Sequence, residues 1–149
     1  MTSSSSAPTP AYVAASWAAM LTGAVAFMVG LVNAKMFLNE KGYYLTVLLF
    51  GLFAVISLQK SVRDRLEGIR VTPLYFTLSG GAVAVTLALL VVGLWNADLA
   101  LSEKGFYGMA FVLALFGAVS VQKNVRDLAV HDAPADGFDP IRARSTVDG

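Results

Sequence analysis

The sequence has no cysteine and one histidine, His131. Without cysteine there are no disulfides, thiolate metal ligands, thiol nucleophiles or S-palmitoylation. With one histidine, a metal site built on imidazoles has too few ligands. No cofactor is expected. Charge is scarce as well: Asp, Glu, Lys and Arg make up 14% of the chain, where a soluble domain carries roughly 25%. The net charge of +1 offers no basic surface for nucleic acid. What fills the chain instead is apolar, and mean hydropathy is +0.66.

The apolar residues are grouped. Stretches 12–32, 42–59, 74–97 and 105–122 contain no charged residue. At about 1.5 Å per residue they reach roughly 27–36 Å, against a hydrocarbon core about 30 Å thick. One such run suits a buried soluble helix. Four in 149 residues leave no polar faces to cover them. The expected fold class is an all-α membrane protein with four transmembrane helices.

The opening "MTSSSSAPTP" has no Lys or Arg, so it lacks the basic region of a signal peptide. A disordered polar lead over 1–8 and a retained first helix are expected. The tail, 129–149, is rich in Asp, Pro, Ala and Arg without an apolar stripe. A flexible segment is expected there.

Displaced by 63 positions, the sequence matches itself. Thr9-Pro10-Ala11-Tyr12 falls on Thr72-Pro73-Leu74-Tyr75, and "LNEKGYY" on "LSEKGFY". "SLQKSVRD" falls on "SVQKNVRD", and about half of positions 30–64 recur. A repeat fixes architecture before any other feature. The two copies are expected over 9–71, with helices near 10–34 and 42–66, and over 72–128, with helices near 73–97 and 105–128. They form two tandem helical hairpins in the same orientation, related by a pseudo-two-fold along the membrane normal. Thr9 and Thr72 are candidate N-caps before a first-position proline.

Charge asymmetry orients the chain. Lys60, Arg63, Arg65, Arg70, Lys123, Arg126, Arg142 and Arg144 lie on one side, and only Lys35, Lys41 and Lys104 on the other. The positive-inside rule places the first set, with both termini, in the cytoplasm.

The polar punctuation supplies the candidate interaction residues. Glu40, Lys41 and Gly42, and their matches Glu103, Lys104 and Gly105, are read as two short loops opening the second helix of each copy. Glutamate there suits a helix N-terminus. Across the pseudo-two-fold, Glu40 is expected to reach Lys104 and Lys41 to reach Glu103. Lys35 matches Asp98; an ion pair between the copies and two separately solvated charges both fit. Asn33 and Asn96 end the odd helices, as caps or as donors across the bundle. Gln59, Lys60, Arg63 and Asp64, with Gln122, Lys123, Arg126 and Asp127, form a basic rim. There Gln59–Arg63 and Lys60–Asp64 are i,i+4 pairs, lysines snorkel, and anionic lipids or a partner protein can dock. Close packing is expected along the small-residue stripes Ala19-Gly23-Ala26-Gly30, Gly80-Ala84-Ala88 and Ala110-Ala114-Ala118, with Gly23 and Gly80 least tolerant of enlargement.

The segments "NAxxxLxEKGxY" and "SxQKxVRD", each written twice, resemble the YiaA/YiaB two-helix-domain family of bacterial inner-membrane proteins. The resemblance runs over about 12–127 and implies a multi-pass protein of the bacterial inner (plasma) membrane. It brings no catalytic or binding residue with it.

No run contains Asp, Glu, Lys, Arg or His, so an enzyme is not expected. Ion and proton pathways need such residues too. The expected role is a small scaffold or accessory protein, in envelope maintenance or stress. Its expected partners are membrane lipids, a second copy of itself or another inner-membrane protein. The alternative is an oligomeric channel or carrier for a small apolar solute.

Overall fold

The computed structural model describes residues 7–131. The expected polar lead and tail fall outside them except at 7–8 and 129–131. Four helices follow in order: α1 (Pro10–Asn33), α2 (Leu38–Leu66), α3 (Pro73–Asn96) and α4 (Leu101–His131). No strand occurs among the described residues. All four helices are long and apolar enough to cross a membrane. Each turns large apolar side chains outward, among them Val25, Phe53, Val91 and Phe116. A helix apolar all round, in a chain this small, suits lipid on its outer face.

Local sequence sets the helix ends. Tyr12 N donates to Thr9 Oγ1 at 3.3 Å, and Tyr75 N to Thr72 Oγ1 at 3.4 Å, each with proline opening the helix. At the end of α2, Gly68 takes φ +76°. Ile69 N then reaches Asp64 O at 2.8 Å and Gly68 N reaches Arg65 O at 3.2 Å. This left-handed glycine turn satisfies the last carbonyls and stops the helix.

The second helix of each copy starts four residues before the glycine-based expectation. Glu40 Oε2 accepts from Phe37 N and Glu103 Oε2 from Ala100 N, both at 2.8 Å. Each carboxylate bends back over its own first turn and satisfies a donor the helix leaves orphaned. "EKG" is therefore helical, not loop. Gly42 and Gly105 sit inside the helix, with nothing within 4 Å of a built Cβ.

The two hairpins interlock. α1 lies along α4 and α3 along α2, while helices of the same hairpin touch only slightly. α2 and α4 meet at the centre, and α1 and α3 are peripheral. Matched residues make matched contacts. Tyr44 and Tyr107 stack on each other across the pseudo-two-fold, centroids 6.3 Å apart and planes at 18°. A Cβ on Gly30 would stand 2.8 Å from Phe106 Cε1, and one on Gly93 would stand 2.7 Å from Tyr43 Cε1.

Small residues set the crossings, although not every expected stripe is used. Gly23 lies against the Ala114 backbone, where a Cβ would stand 2.7 Å from Ala110 O. In the other half the matching positions are Thr86 and Gly51, and a Cβ on Gly51 would stand 2.9 Å from Thr86 Cγ2. The space has moved from the peripheral helix to the central one. Gly80 is consequently not a tight site: its Cβ would meet only Leu58 Cδ1 at 3.9 Å. Ala84 and Ala88 are exposed, and α3 packs through Ser79, Thr86 and Leu90. The α3 stripe faces lipid.

Candidate functional site

Within the bundle the polar side chains are few, and several bond back to their own helix. Ser16 Oγ donates to Tyr12 O at 2.8 Å, Ser79 Oγ to Tyr75 O at 2.9 Å and Thr86 Oγ1 to Ala82 O at 2.8 Å. Chemistry-bearing groups collect at the two ends.

At the end carrying the short α1–α2 and α3–α4 connections, the expected cross-copy pairs do not form. Lys41 Nζ donates to Val32 O at 2.8 Å and Lys104 Nζ to Trp95 O at 3.2 Å. Each lysine caps the helix before it, because the last carbonyls of α1 and α3 lack intrahelical partners and lie nearest. Asn33 Nδ2 donates to Val29 O and Asn96 Nδ2 to Val92 O, both at 2.7 Å, so neither amide donates across the bundle. Lys35 and Asp98 are not ion-paired: the pairs among the described residues are Arg63–Asp64, Arg63–Glu67 and Arg126–Glu67. Both instead border one crevice of 330 Å³ between the hairpins. Its walls are Gly93 and Asn96 of α3 with Glu40, Tyr43 and Tyr44 of α2. Tyr43 Oη donates to Leu89 O at 2.6 Å and fixes that wall. A twin crevice of 320 Å³ uses the matched Gly30, Asn33, Glu103, Phe106 and Tyr107.

Among the described residues the other end is positive. It carries Lys60, Arg63, Arg65, Arg70, Lys123 and Arg126 against Asp64, Glu67 and Asp127, whereas the short-connection end balances Lys35, Lys41 and Lys104 with Glu40, Asp98 and Glu103. Arg63 of α2 and Arg126 of α4, matched by the repeat, converge on Glu67. Arg126 Nη2 bonds Glu67 Oε1 directly, while Arg63 Nε stays 3.9 Å from the same oxygen. Arg63 Nη2 is 3.7 Å from Asp64. These are ion pairs without hydrogen bonds. Arg63 Nε and Nη1 are buried and unpartnered, as is Gln59 Oε1 one turn deeper. The expected Lys60–Asp64 pair does not form; Asp64 turns to Arg63 and Lys60 is exposed. Lys123 is exposed, and Gln122 and Asp127 are half-buried. Arg65 stacks on Phe76, 4.4 Å from the ring centroid.

Asn124, Ser16, Ser61 and Glu67 escaped the sequence reading. Asn124, 1% exposed, donates through Nδ2 to Ser16 Oγ at 2.9 Å. In the matched place, Ser61 Oγ lies 3.4 Å from Ser79 Oγ. The signal was a polar residue in both copies on the packed face, Ser61 over Asn124 and Ser16 over Ser79. Glu67 has no repeat counterpart, since Val130 stands at its match, so the repeat hid it. Among the described residues no group of three or more His, Asp or Glu lies where it would hold a metal.

The family model "yiaA/B two helix domain" matches twice, over residues 12–64 and 75–127. The chain is similar to the inner membrane protein YiaA of Escherichia coli strain K12, 55% identical over 122 residues, covering 82% of this chain and 84% of that protein. It is also similar to the inner membrane protein YiaB of the same organism, 34% identical over 101 residues, 65% of this chain and 82% of that one. No solved structure matches it. With the domain written twice and four apolar helices to carry it, the chain belongs to the yiaA/B two-helix-domain family as a multi-pass inner-membrane protein.

Proposed function

We propose that this protein is a small membrane scaffold without catalysis of its own, acting through its polar ends. Both termini and the α2–α3 connection lie in the cytoplasm, and the cytoplasmic end holds the headgroup of an anionic phospholipid between Arg63 and Arg126. The orientation is supported by the eight-to-three division of Lys and Arg between the two sides. The observation that carries the lipid reading is the pair of buried, unpartnered donors on Arg63, Nε and Nη1. A buried guanidinium N–H without an acceptor is costly, and a phosphate carries several oxygens that can accept from it. Arg126 brings a second guanidinium to the same place through Glu67. Gln59 Oε1, one turn deeper, is likewise buried without a partner. The excess of basic residues at this end suits the anionic cytoplasmic leaflet.

Native mass spectrometry of the protein released from mixed micelles tests this. Phosphatidylglycerol is expected to stay bound in preference to phosphatidylcholine. At about 1 kcal/mol per arginine, Arg63→Gln or Arg126→Gln is expected to lower its retention roughly fivefold. Equal retention of the two lipids by the unaltered protein overturns the reading.

A further inference from the structure

The geometry points to the crevice between Lys35 and Asp98 as a site for a zwitterion carrying a primary ammonium and a phosphate, the chemistry of a phosphoethanolamine headgroup. The crevice measures 330 Å³, at the lower end of the about 300–1,000 Å³ typical of small-molecule sites. Gly93 keeps it open against the aromatic wall, since a side chain there would run into Tyr43.

A primary ammonium has three N–H donors and needs three acceptors. The lining offers three that the protein does not use. Glu40 spends Oε2 on Phe37 N, which leaves Oε1. Asn96 spends its Nδ2 on Val92 O, which leaves Oδ1. The Asp98 carboxylate has no ion pair. Lys35 supplies the opposite charge for the phosphate. Opposite charges that border one crevice without pairing are what a zwitterion would bridge. The twin crevice has the matched glutamate and asparagine but is bordered by neither Lys35 nor Asp98. One site per chain follows, not two. A quaternary ammonium has no N–H to give the carboxylates, so choline is disfavoured, and glycerol headgroups bring no cation.

The test uses the purified full chain in detergent, with two probes. Native mass spectrometry reads retention of phosphatidylethanolamine, phosphatidylcholine and phosphatidylglycerol; calorimetry reads binding of soluble glycerophosphoethanolamine. The expected result is one tightly held phosphatidylethanolamine. Its retention should fall about tenfold in Asp98→Asn and in Lys35→Met, the loss of one charge-assisted contact. Both variants should melt as the unaltered protein does, and Ser102→Ala in the twin crevice should retain the lipid fully. Binding of glycerophosphoethanolamine with the same variant dependence assigns the site to a free solute as well as to lipid. Undiminished retention in both variants, retention of phosphatidylcholine equal to that of phosphatidylethanolamine, or binding of neither probe overturns the proposal. Because it reads phosphatidylethanolamine at the Lys35–Asp98 end, it fails or stands separately from the arginine site.

Discussion

Single residues at the helix ends explain why "EKG" is written twice. The glutamate satisfies the first turn of its own helix, and the lysine satisfies the last turn of the one before. One dipeptide thus closes both sides of a short connection, and each copy needs it once. The residue types were legible in the sequence, but their partners were not. Charge matching alone predicts cross-copy ion pairs because it ignores competition. An unpaired backbone carbonyl in reach, at a membrane boundary, outcompetes an exposed carboxylate whose pairing is worth only about 0–1 kcal/mol. The same limit applies to the glycines. Sequence spacing marked Gly23 and Gly80 alike, but only Gly23 has backbone against it. Thr86 explains the difference: it fills the α3 position matching Gly23 and moves the space to Gly51. Gly23→Ala is therefore expected to lower stability by about 1–3 kcal/mol. Gly80→Ala should stay within about 0.5 kcal/mol of the original. Thermal melting in one detergent compares them; equal losses would contradict the crossing.

At the scale of elements, the fold class, helix number and repeat could be read from apolar run lengths and self-matching alone. The interlock could not. A repeat says which segments are alike, not whether each packs with itself or with its copy. Short connections favour neighbours in sequence, yet α1 chooses α4. The polar seam shows why the choice is specific: Ser16 meets Asn124 and Ser61 meets Ser79, both between copies. Interhelical hydrogen bonds in lipid average about 0.6 kcal/mol, so these polar contacts select register rather than supply the whole stability. The absence of native cysteine makes cross-linking clean. Ser16→Cys with Asn124→Cys, and Ser61→Cys with Ser79→Cys, are expected to form disulfides under mild oxidation in membranes. Ser16→Cys with Ser61→Cys, within one hairpin, is expected to stay reduced. Efficient cross-linking of that last pair would show hairpins packed on themselves.

For the whole molecule, two ends of unlike charge are held apart by a lipid-facing bundle with no ionisable group at its centre. The proposed orientation rests on that division. In intact cells an impermeant maleimide is expected to label Ser102→Cys and to spare Ile69→Cys until the membrane is opened. The reverse pattern would place the arginine end outside, away from the leaflet it is suited to. The basic rim itself was visible in "SxQKxVRD", but its centre was not, because Glu67 belongs to one copy only. The convergence of Arg63 and Arg126 on the pseudo-two-fold is a product of the interlock. Lipid selectivity in a bilayer examines that convergence most directly. Spin-labelled phosphatidylglycerol and phosphatidylcholine are compared by electron paramagnetic resonance in proteoliposomes. The immobilised fraction is expected to be larger for phosphatidylglycerol with the unaltered protein. It should fall to the phosphatidylcholine level in Arg63→Gln/Arg126→Gln, while added salt weakens it only partly, because the guanidinium donors are buried and less screened. Selectivity unchanged in the double variant, or absent from the unaltered protein, would contradict an anionic headgroup held between the two arginines.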